Sequence, residues 1–223
     1  MCVSMFELSL EKLYLLLLEH YGYQNWWPVD EGYHKLKGTD PREEIVIGAV
    51  LTQNTAWKNV EKALENIKRE GELSLRFIRE SKVEELCKLI KPSGFYKIKA
   101  ERLKHVAEFL NPVGLVQRVS RRELLKVKGV GKETADAILL YAGNRLSFVI
   151  DAYTFRLFER LYHLKGDYEY IKAYVESRIP KDLTLYKEFH ALIVKHAKTY
   201  CKRTPRCGGC FLKNYCLSAS PSF

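Results

Sequence analysis

The sequence predicts an all-α fold, and three observations support this prediction. Apolar residues recur at helical spacing along most of the 223-residue chain, as on amphipathic helices. No two runs of alternating apolar and polar residues are joined by a hairpin turn, so a sheet is not supported. The stretch LLKVKGVGKETADAILLYAG, from Leu124, places a Gly-Val-Gly turn between two helix-favouring segments. We therefore expect helices throughout, with a hairpin of helices at this turn.

Each helix is predicted from its own segment. The first covers 7–21, and the second follows Pro41 and two acidic residues, which suit a helix N-terminus, and contains the apolar run IVIGAV. Further helices are predicted at 58–69, 82–90, 97–109, 121–127, 132–142, 152–164, 168–177 and 185–199. Residues 22–41 are rich in Gly, Pro and aromatic residues and are predicted to form a long connection, while Ser147–Ile150 is the one strand-like stretch.

The composition is that of a basic globular protein. Lys and Arg number 37 against 27 Asp and Glu, which gives a formal charge of +10. Such an excess attracts polyanions, of which nucleic acid is the commonest in a cell, although a merely soluble surface is the alternative. The sequence contains neither an apolar run of about 18 residues nor a signal-peptide cleavage pattern. We expect an intracellular protein in a reducing compartment, cytoplasmic or nucleoid-associated, that makes no use of a membrane.

The glycine turn is a candidate phosphate-binding site. Gly129 and Gly131 can adopt positive φ without steric cost. The amides of Val130, Gly131 and Lys132 would then lie at a helix N-terminus, where unpaired N–H groups and the helix dipole favour an anion. The surrounding lysines, which supply charge without reading base sequence, are Lys126, Lys128 and Lys132. The alternative is an ordinary hairpin of helices packed for stability.

Four of the six cysteines lie within sixteen residues, and they are Cys201, Cys207, Cys210 and Cys216. In a reducing compartment such a cluster predicts a metal site rather than disulfides. Zinc accepts four cysteines, so on the residues alone zinc is slightly favoured. Cys2 is interpreted as a terminal thiol and Cys87 as a small core residue.

Several of these motifs together resemble one protein family. The hairpin motif followed by FVIDAYTFRLFERL is similar to the helix-hairpin-helix DNA glycosylases of the endonuclease III superfamily, and IVIGAVLTQNTAWKNVEKAL, PSGFYKIKAERL and the cysteine cluster extend the resemblance over nearly the whole chain. The resemblance implies that the hairpin at about 121–143 binds the phosphates of double-stranded DNA beside a damaged nucleotide. We expect the protein to be a monomer. It also implies a barrel lobe at 35–145 and a second lobe of 1–34 plus 146–223, with DNA in the groove and Asp151 at the junction.

The resemblance assigns the chemistry to Asp151. The matching aspartate faces the deoxyribose of the flipped nucleotide, where a carboxylate stabilises developing positive charge; for an isolated Asp here, helix capping is the alternative. Superfamily members that also cut the strand carry a lysine directly before the Thr-Ala of the second hairpin helix, and Glu133 stands at that position. A carboxylate cannot form an imine, which predicts a monofunctional glycosylase without lyase activity.

The aromatic residues predict the base. Trp26 and Trp27 precede Pro28, and Trp57 follows the Gln-Asn-Thr; in the 3-methyladenine branch, which the chain resembles most, an alkylated base stacks between aromatic residues at these places. Core packing is the alternative for any one tryptophan. The resemblance further places Gln53 in the space that the flipped nucleotide vacates, or else at a solvated helix end. Additional phosphate contacts, or a solvated helix face, are predicted for Lys97, Lys99 and Arg102.

For the cysteines, the resemblance implies a [4Fe-4S] cluster, with zinc as the alternative. The spacing departs from the family pattern, because five residues separate Cys201 from Cys207 where six are usual. The basic residues of the loop, predicted to face DNA, are Lys202, Arg203, Arg206 and Lys213. Three competing functions remain: a bifunctional endonuclease III-type glycosylase and lyase for oxidised pyrimidines, an adenine or mismatch glycosylase, and a non-catalytic DNA-binding module.

Overall fold

The structure is a computed structural model that describes residues 8–219, so Cys2 lies outside the described residues. The α-helices are α1 (Leu10–Tyr21), α2 (Glu31–Lys37), α3 (Pro41–Leu51), α4 (Trp57–Glu70), α5 (Leu75–Glu80), α6 (Val83–Leu89), α7 (Tyr96–Phe109), α8 (Arg121–Leu124), α9 (Lys132–Ala137), α10 (Ala152–Tyr162), α11 (Tyr168–Glu176) and α12 (Leu183–Thr199). Short 3₁₀ turns occur at Lys91–Ser93, Val113–Gln117, Cys207–Gly209 and Lys213–Tyr215, and α9 continues as a π-helical turn over Ile138–Ala142. Over residues 8–219 there is no strand, and the predicted all-α class is confirmed.

The chain divides into two compact units. The middle unit is Trp27–Ser147, and the terminal unit combines, within the described residues, 8–26 with 148–219. The predicted barrel lobe was 35–145, so this division adds 27–34 and 146–147 to the middle unit.

The middle unit is built around α3, which packs against α4, α7, α9 and the π-helical turn. Its residues Val46, Ile47, Val50 and Leu51 are completely buried, so a helix with apolar residues on every side is enclosed by its neighbours. Asp40 begins α3 with a capping box to Glu43, which satisfies backbone donors at the helix start.

In the terminal unit α12 is the central helix and packs against α1 and α10. Tyr186, Phe189, Leu192 and Ile193 on α12 are completely buried. Asp182 caps α12 by accepting a 2.7 Å hydrogen bond from the Leu185 amide, so the helix begins two residues before the predicted 185.

The predicted long connection at 22–41 was wrong, because α2 lies inside it. Only His34 of α2 is buried, so the helix lacks the apolar periodicity that predicts amphipathic helices. Its signals are instead the caps: Asp30 accepts a 2.9 Å hydrogen bond from the Tyr33 amide, and Gly38 ends the helix at φ +66°. The short α5, which was not predicted, is likewise capped by Ser74. Among the described helices, none is long and apolar enough to cross a membrane.

Candidate active site and DNA-binding hairpin

The extended segment before the candidate catalytic aspartate is held by side chains of α11. The Phe148 amide donates to Glu176 Oε1 at 2.8 Å, and Lys172 Nζ donates to the Phe148 carbonyl at 3.0 Å and to the same Glu176 oxygen at 2.7 Å. The Ile150 amide donates to the Tyr168 hydroxyl at 3.3 Å. This segment does not form a strand, because side chains of α11 bind its backbone where a neighbouring strand would.

Asp151 is the N-cap of α10, and its two carboxylate oxygens have different surroundings. Oδ1 accepts the Thr154 amide at 2.7 Å and the Thr154 hydroxyl at 2.9 Å. Oδ2 lies 3.6 Å from His190 Nε2, and the Asp151 side chain is 13% exposed. Burial alone would raise the pKa of this carboxyl, but the His190 imidazole and the two Thr154 donors outweigh burial and lower the pKa below its usual value. Capping therefore occupies only one oxygen.

Trp26 belongs to the same surroundings as Asp151. Its ring centroid lies 5.9 Å from that of His190, the residue beside Oδ2. The backbone leading to Trp26 is fixed by Glu188, which accepts the Gln24 amide at 2.6 Å and the Asn25 amide at 2.8 Å. Two residues of α12, Glu188 and His190, thus contact the segment that carries Trp26 and the Asp151 carboxylate.

Trp27 is packed within the middle unit instead. Its ring meets those of Trp57 and Tyr141 edge to face, with centroids 5.3 and 5.4 Å apart. On its other side, a Cβ added to Gly48 would lie 3.0 Å from the Trp27 ring. The planes of the Trp27 and Trp57 rings are 84° apart, so the two rings do not present parallel faces to each other. The sequence did not distinguish the environments of the two adjacent tryptophans. In the structure, Trp26 packs near His190 and Trp27 packs against Trp57 and Tyr141.

The glycine turn between α8 and α9 has the expected sharp backbone at one glycine only. Gly129 has φ +91°, whereas Gly131, the N-cap of α9, is extended at φ −90° and ψ 178°. Of the amides predicted to bind phosphate, that of Val130 donates to the Val127 carbonyl at 3.0 Å and is therefore already used. Within residues 8–219 the Gly131 amide has no hydrogen-bond acceptor. Lys128, Gly131, Lys132 and Glu133 are exposed.

Gln53 and Arg102 join the turn to the rest of the middle unit. Gln53 Nε2 donates to the Gly129 carbonyl at 3.1 Å and to the Thr134 hydroxyl at 2.9 Å, while Gln53 Oε1 accepts Arg102 NH1 at 2.5 Å. A Cβ on Gly129 would lie 2.2 Å from Arg102 Cγ. Through these three hydrogen bonds Gln53 joins the turn to Arg102 of α7.

The predicted phosphate contact of Lys99 was wrong. Lys99 is buried, and its Nζ donates to the Leu51 carbonyl at 2.8 Å and to the Ser93 carbonyl at 2.7 Å. Burial, followed by the charge of Arg102, lowers the pKa of Lys99 to about 8. Lys97 is exposed and remains compatible with a phosphate contact.

Phe95 is a candidate that sequence reasoning missed. It precedes α7 at φ +47° and is 65% exposed, directly after Gly94 at φ +68°. A large exposed apolar side chain on a left-handed backbone position costs free energy in the isolated protein. Apolar side chains of this kind serve in other DNA-binding proteins as wedges between base steps. The Ser-Gly-Phe-Tyr sequence was the available signal.

The four C-terminal cysteines surround one cavity of about 80 Å³. Arg160 NH1 lies 3.5 Å from Cys201 Sγ, and His196 Nε2 lies 3.6 Å from Cys210 Sγ. The remainder of the wall includes the apolar side chains of Leu157, Leu161 and Leu212. Arg160 also donates to the Lys202 and Arg203 carbonyls, so α10, which begins after Asp151, anchors the cysteine loop. The exposed basic residues of the loop are Arg203 and Arg206, while Lys202 and Lys213 are half-buried.

Comparisons with known proteins agree with these features. A family model described as HhH-GPD superfamily base excision DNA repair protein matches residues 47–181, more than half of the chain. A Methanocaldococcus jannaschii protein whose name assigns it to the DNA repair glycosylases is 47% identical, over 93% of this chain and 95% of that protein. Endonuclease III of Thermotoga maritima is 33% identical over 81% of this chain and 84% of its own length.

A solved relative is also similar in structure. The 3-methyladenine DNA glycosylase of H. pylori, bound to 1,N6-ethenoadenine, superposes with a TM-score of 0.64 at 30% identity, covering 75% of this chain and 94% of its own. The range matched by the family model, residues 47–181, contains the glycine turn, Gln53, Trp57 and Asp151. On the sequence match and the shared fold, this chain belongs to the HhH-GPD superfamily of base excision DNA repair proteins, among the DNA glycosylases related to endonuclease III.

Proposed function

We propose that this DNA glycosylase is monofunctional and hydrolyses the N-glycosidic bond of a flipped alkylated purine such as 3-methyladenine, leaving an intact abasic site. The observation that carries the proposal is the pair formed by Asp151 and Glu133. Asp151 is a largely buried carboxylate with one oxygen beyond its capping bonds, whereas Glu133, at the position of the lyase lysine, is exposed on α9. An amine is required for Schiff-base formation, and Glu133 does not supply one.

The proposed reaction uses Asp151 Oδ2. As the bond between the sugar and the base breaks, positive charge develops on the deoxyribose and is stabilised by the ionised carboxylate. The oxygen of a water molecule then bonds to the anomeric carbon and loses its proton to Asp151 or to solvent. A purine nucleotide alkylated at N3 or N7, such as 3-methyladenine, carries a positive charge, so the base leaves with the bonding electrons as a neutral molecule and needs no proton from the protein.

Trp26 is proposed as one face of the base pocket, because it lies beside the residue that contacts Asp151. A desolvated aromatic face attracts a cationic base by about 2 kcal/mol. This favours an alkylated purine over adenine, thymine or uracil. The H. pylori relative is a 3-methyladenine DNA glycosylase, which is consistent with this choice.

We further propose that the four cysteines hold a [4Fe-4S] cluster. Among the described residues, no three His, Cys, Asp or Glu side chains converge on a position for a single metal ion. The four thiols instead line the walls of a cavity, which suits a multi-atom cluster better than one zinc ion. Arg160 NH1 lies beside Cys201 Sγ, and the group, when bound, would supply structural cross-linking of the loop.

The decisive experiment measures release of labelled base from methylated DNA by the wild type and by Asp151→Asn. We expect rapid release by the wild type and a loss of about 100- to 1000-fold in the variant, with DNA affinity retained. Equal activity of the two proteins, or release of no alkylated base by the wild type, contradicts the proposal.

A bifunctional endonuclease III-type activity is the second candidate, favoured by the similarity to the T. maritima enzyme. Incision of DNA containing an oxidised pyrimidine, without an added abasic endonuclease, distinguishes the two. Strand cleavage would support the second candidate.

A further inference from the structure

We propose that His190 is a positioning residue that holds the Asp151 carboxylate in the orientation required for base release. This inference rests on the proposed function, in which Asp151 Oδ2 faces the reacting sugar and water. It adds a residue from α12 that the sequence motifs did not single out.

The two oxygens of the Asp151 carboxylate have different neighbours. Thr154 fixes Oδ1 through its amide and its hydroxyl, so rotation of the carboxylate is limited by what lies next to Oδ2. The group there is His190 Nε2, 3.6 Å away. This distance exceeds a hydrogen bond, and contacts of this kind commonly shorten when substrate binds.

The His190 side chain is itself held in place by burial and by packing against aromatic rings. Its side chain is 5% exposed, and its ring packs near those of Trp26 and Phe148, with centroids 5.9 and 6.4 Å away. Phe148 is completely buried and belongs to the segment that α11 holds before Asp151. A side chain locked by packing can impose a defined geometry on its partner.

The groups around Asp151 and His190 set the electrostatics of the Asp151 carboxylate. Other ionisable or polar groups near this pair are the Tyr153 phenol on α10, whose pKa is raised by burial and then by Asp151, the Tyr168 hydroxyl at the Ile150 amide, and Glu188 on α12. Glu188 carries the same charge as Asp151, and neither phenol is a cation. His190 and the two Thr154 donors together oppose the burial penalty on the Asp151 carboxylate, and His190 is the one among them that lies beside Oδ2.

The test is the pH dependence of single-turnover base release by wild type, His190→Phe and His190→Gln. The phenylalanine keeps the burial but removes the polar partner, so the pKa of Asp151 rises. Because the ionised carboxylate is the active form, the acid limb of the profile moves to higher pH, by about one unit, and the rate below the limb falls about tenfold. The glutamine keeps an N–H donor, and we expect its profile to lie between the other two.

The control is His34→Phe in the middle unit, where His34 is also buried and lies 3.0 Å from a carboxylate, that of Glu44. It reproduces the loss of a buried histidine without touching Asp151, so we expect its acid limb at the wild-type pH. Affinity for DNA with an abasic-site analogue is expected to stay within about threefold of wild type for all variants.

A double-mutant cycle with His190→Phe and Asp151→Asn, read by urea unfolding at several pH values, tests the pair without any substrate. We expect coupling that weakens as pH falls through the pKa of Asp151. Absence of coupling together with an unmoved acid limb overturns the role of His190. Failure of the wild type to release alkylated purines overturns the proposed function instead, and the two failures are thereby distinguished.

Discussion

Glu133 is the residue that separates the proposed hydrolysis from lyase chemistry. It is the second residue of α9 and exposed, so a lysine side chain can be accommodated there without entering the core. Since imine formation requires an amine, a lysine introduced at this position tests whether Glu133 prevents lyase chemistry.

We predict that Glu133→Lys forms a covalent adduct with abasic-site DNA that borohydride traps, whereas the wild type does not. The matched control is Glu133→Gln, which removes the charge but provides no nucleophilic amine. The measurement is the fraction of DNA shifted on a denaturing gel. A strong adduct with the wild type would contradict this prediction and implicate another amine, such as that of Lys132.

Among the structural elements, the glycine turn depends on one glycine more than on the other. Gly129 combines φ +91° with an occupied Cβ position, whereas Gly131 is extended and a Cβ there would meet nothing within 4 Å. Only the first therefore requires the absence of a side chain.

We expect Gly129→Ala to lower the free energy of unfolding by about 1–3 kcal/mol, through backbone strain and displacement of Arg102. Gly131→Ala is the internal control and should change it by no more than about 0.5 kcal/mol. Urea unfolding of both variants gives the comparison. Equal destabilisation would show that the turn does not depend on the left-handed conformation.

Lys99 links α7 to the end of α3 and to the turn before α7. Its burial predicts that the free energy of unfolding depends on pH. Its pKa is about 8 in the folded protein and about 10.4 when unfolded. Between these values the unfolded state binds more protons, so the stability contributed by this site rises with pH. Relative to Lys99→Met, the wild type should gain up to about 1.4 kcal/mol per pH unit in this window.

Unfolding of both proteins at pH 7.5 and 9.5 measures this gain. A stability difference that does not change with pH would contradict it. The Lys97→Met variant is the control, because Lys97 is exposed two residues away on the same helix.

At the scale of the whole molecule, the terminal unit connects its candidate catalytic residue to the cysteine loop through one helix. Asp151 caps the start of α10, and Arg156 and Arg160 of α10 donate to the Cys201 and Lys202 carbonyls at 2.7 and 2.5 Å. A cluster bound by the loop would therefore stabilise this unit, because the loop gains little support from its two short 3₁₀ turns.

We predict that the purified protein is brown and contains iron and sulfide, and that Cys207→Ser loses both and unfolds at a lower temperature. Cys87→Ser is the matched control, since Cys87 lies on α6 in the other unit, and it should retain the iron. Elemental analysis and visible absorbance are the measurements. Stoichiometric zinc without iron would contradict the cluster.

How much could be predicted from the sequence differs among these residues. The glycine turn and most helices were predictable, and so was the cysteine group, because each depends on residues that are close in the chain. The missed α2 depends on caps rather than on apolar spacing, since only His34 is buried in it. The predicted surface role of Lys99 failed because its chemistry indicates a cation but not whether the cation is exposed.

The sequence by itself determined the helical class and the turn, because local periodicity and glycine are sufficient for these, whereas the lyase-lysine position of Glu133 is what the family resemblance implies. Only the tertiary structure decided that the Trp26 ring lies near His190, that Gln53 is bound to the turn, and that His190 lies beside the carboxylate. Those contacts join residues that are far apart in the chain, and their geometry follows from how the helices pack rather than from any motif.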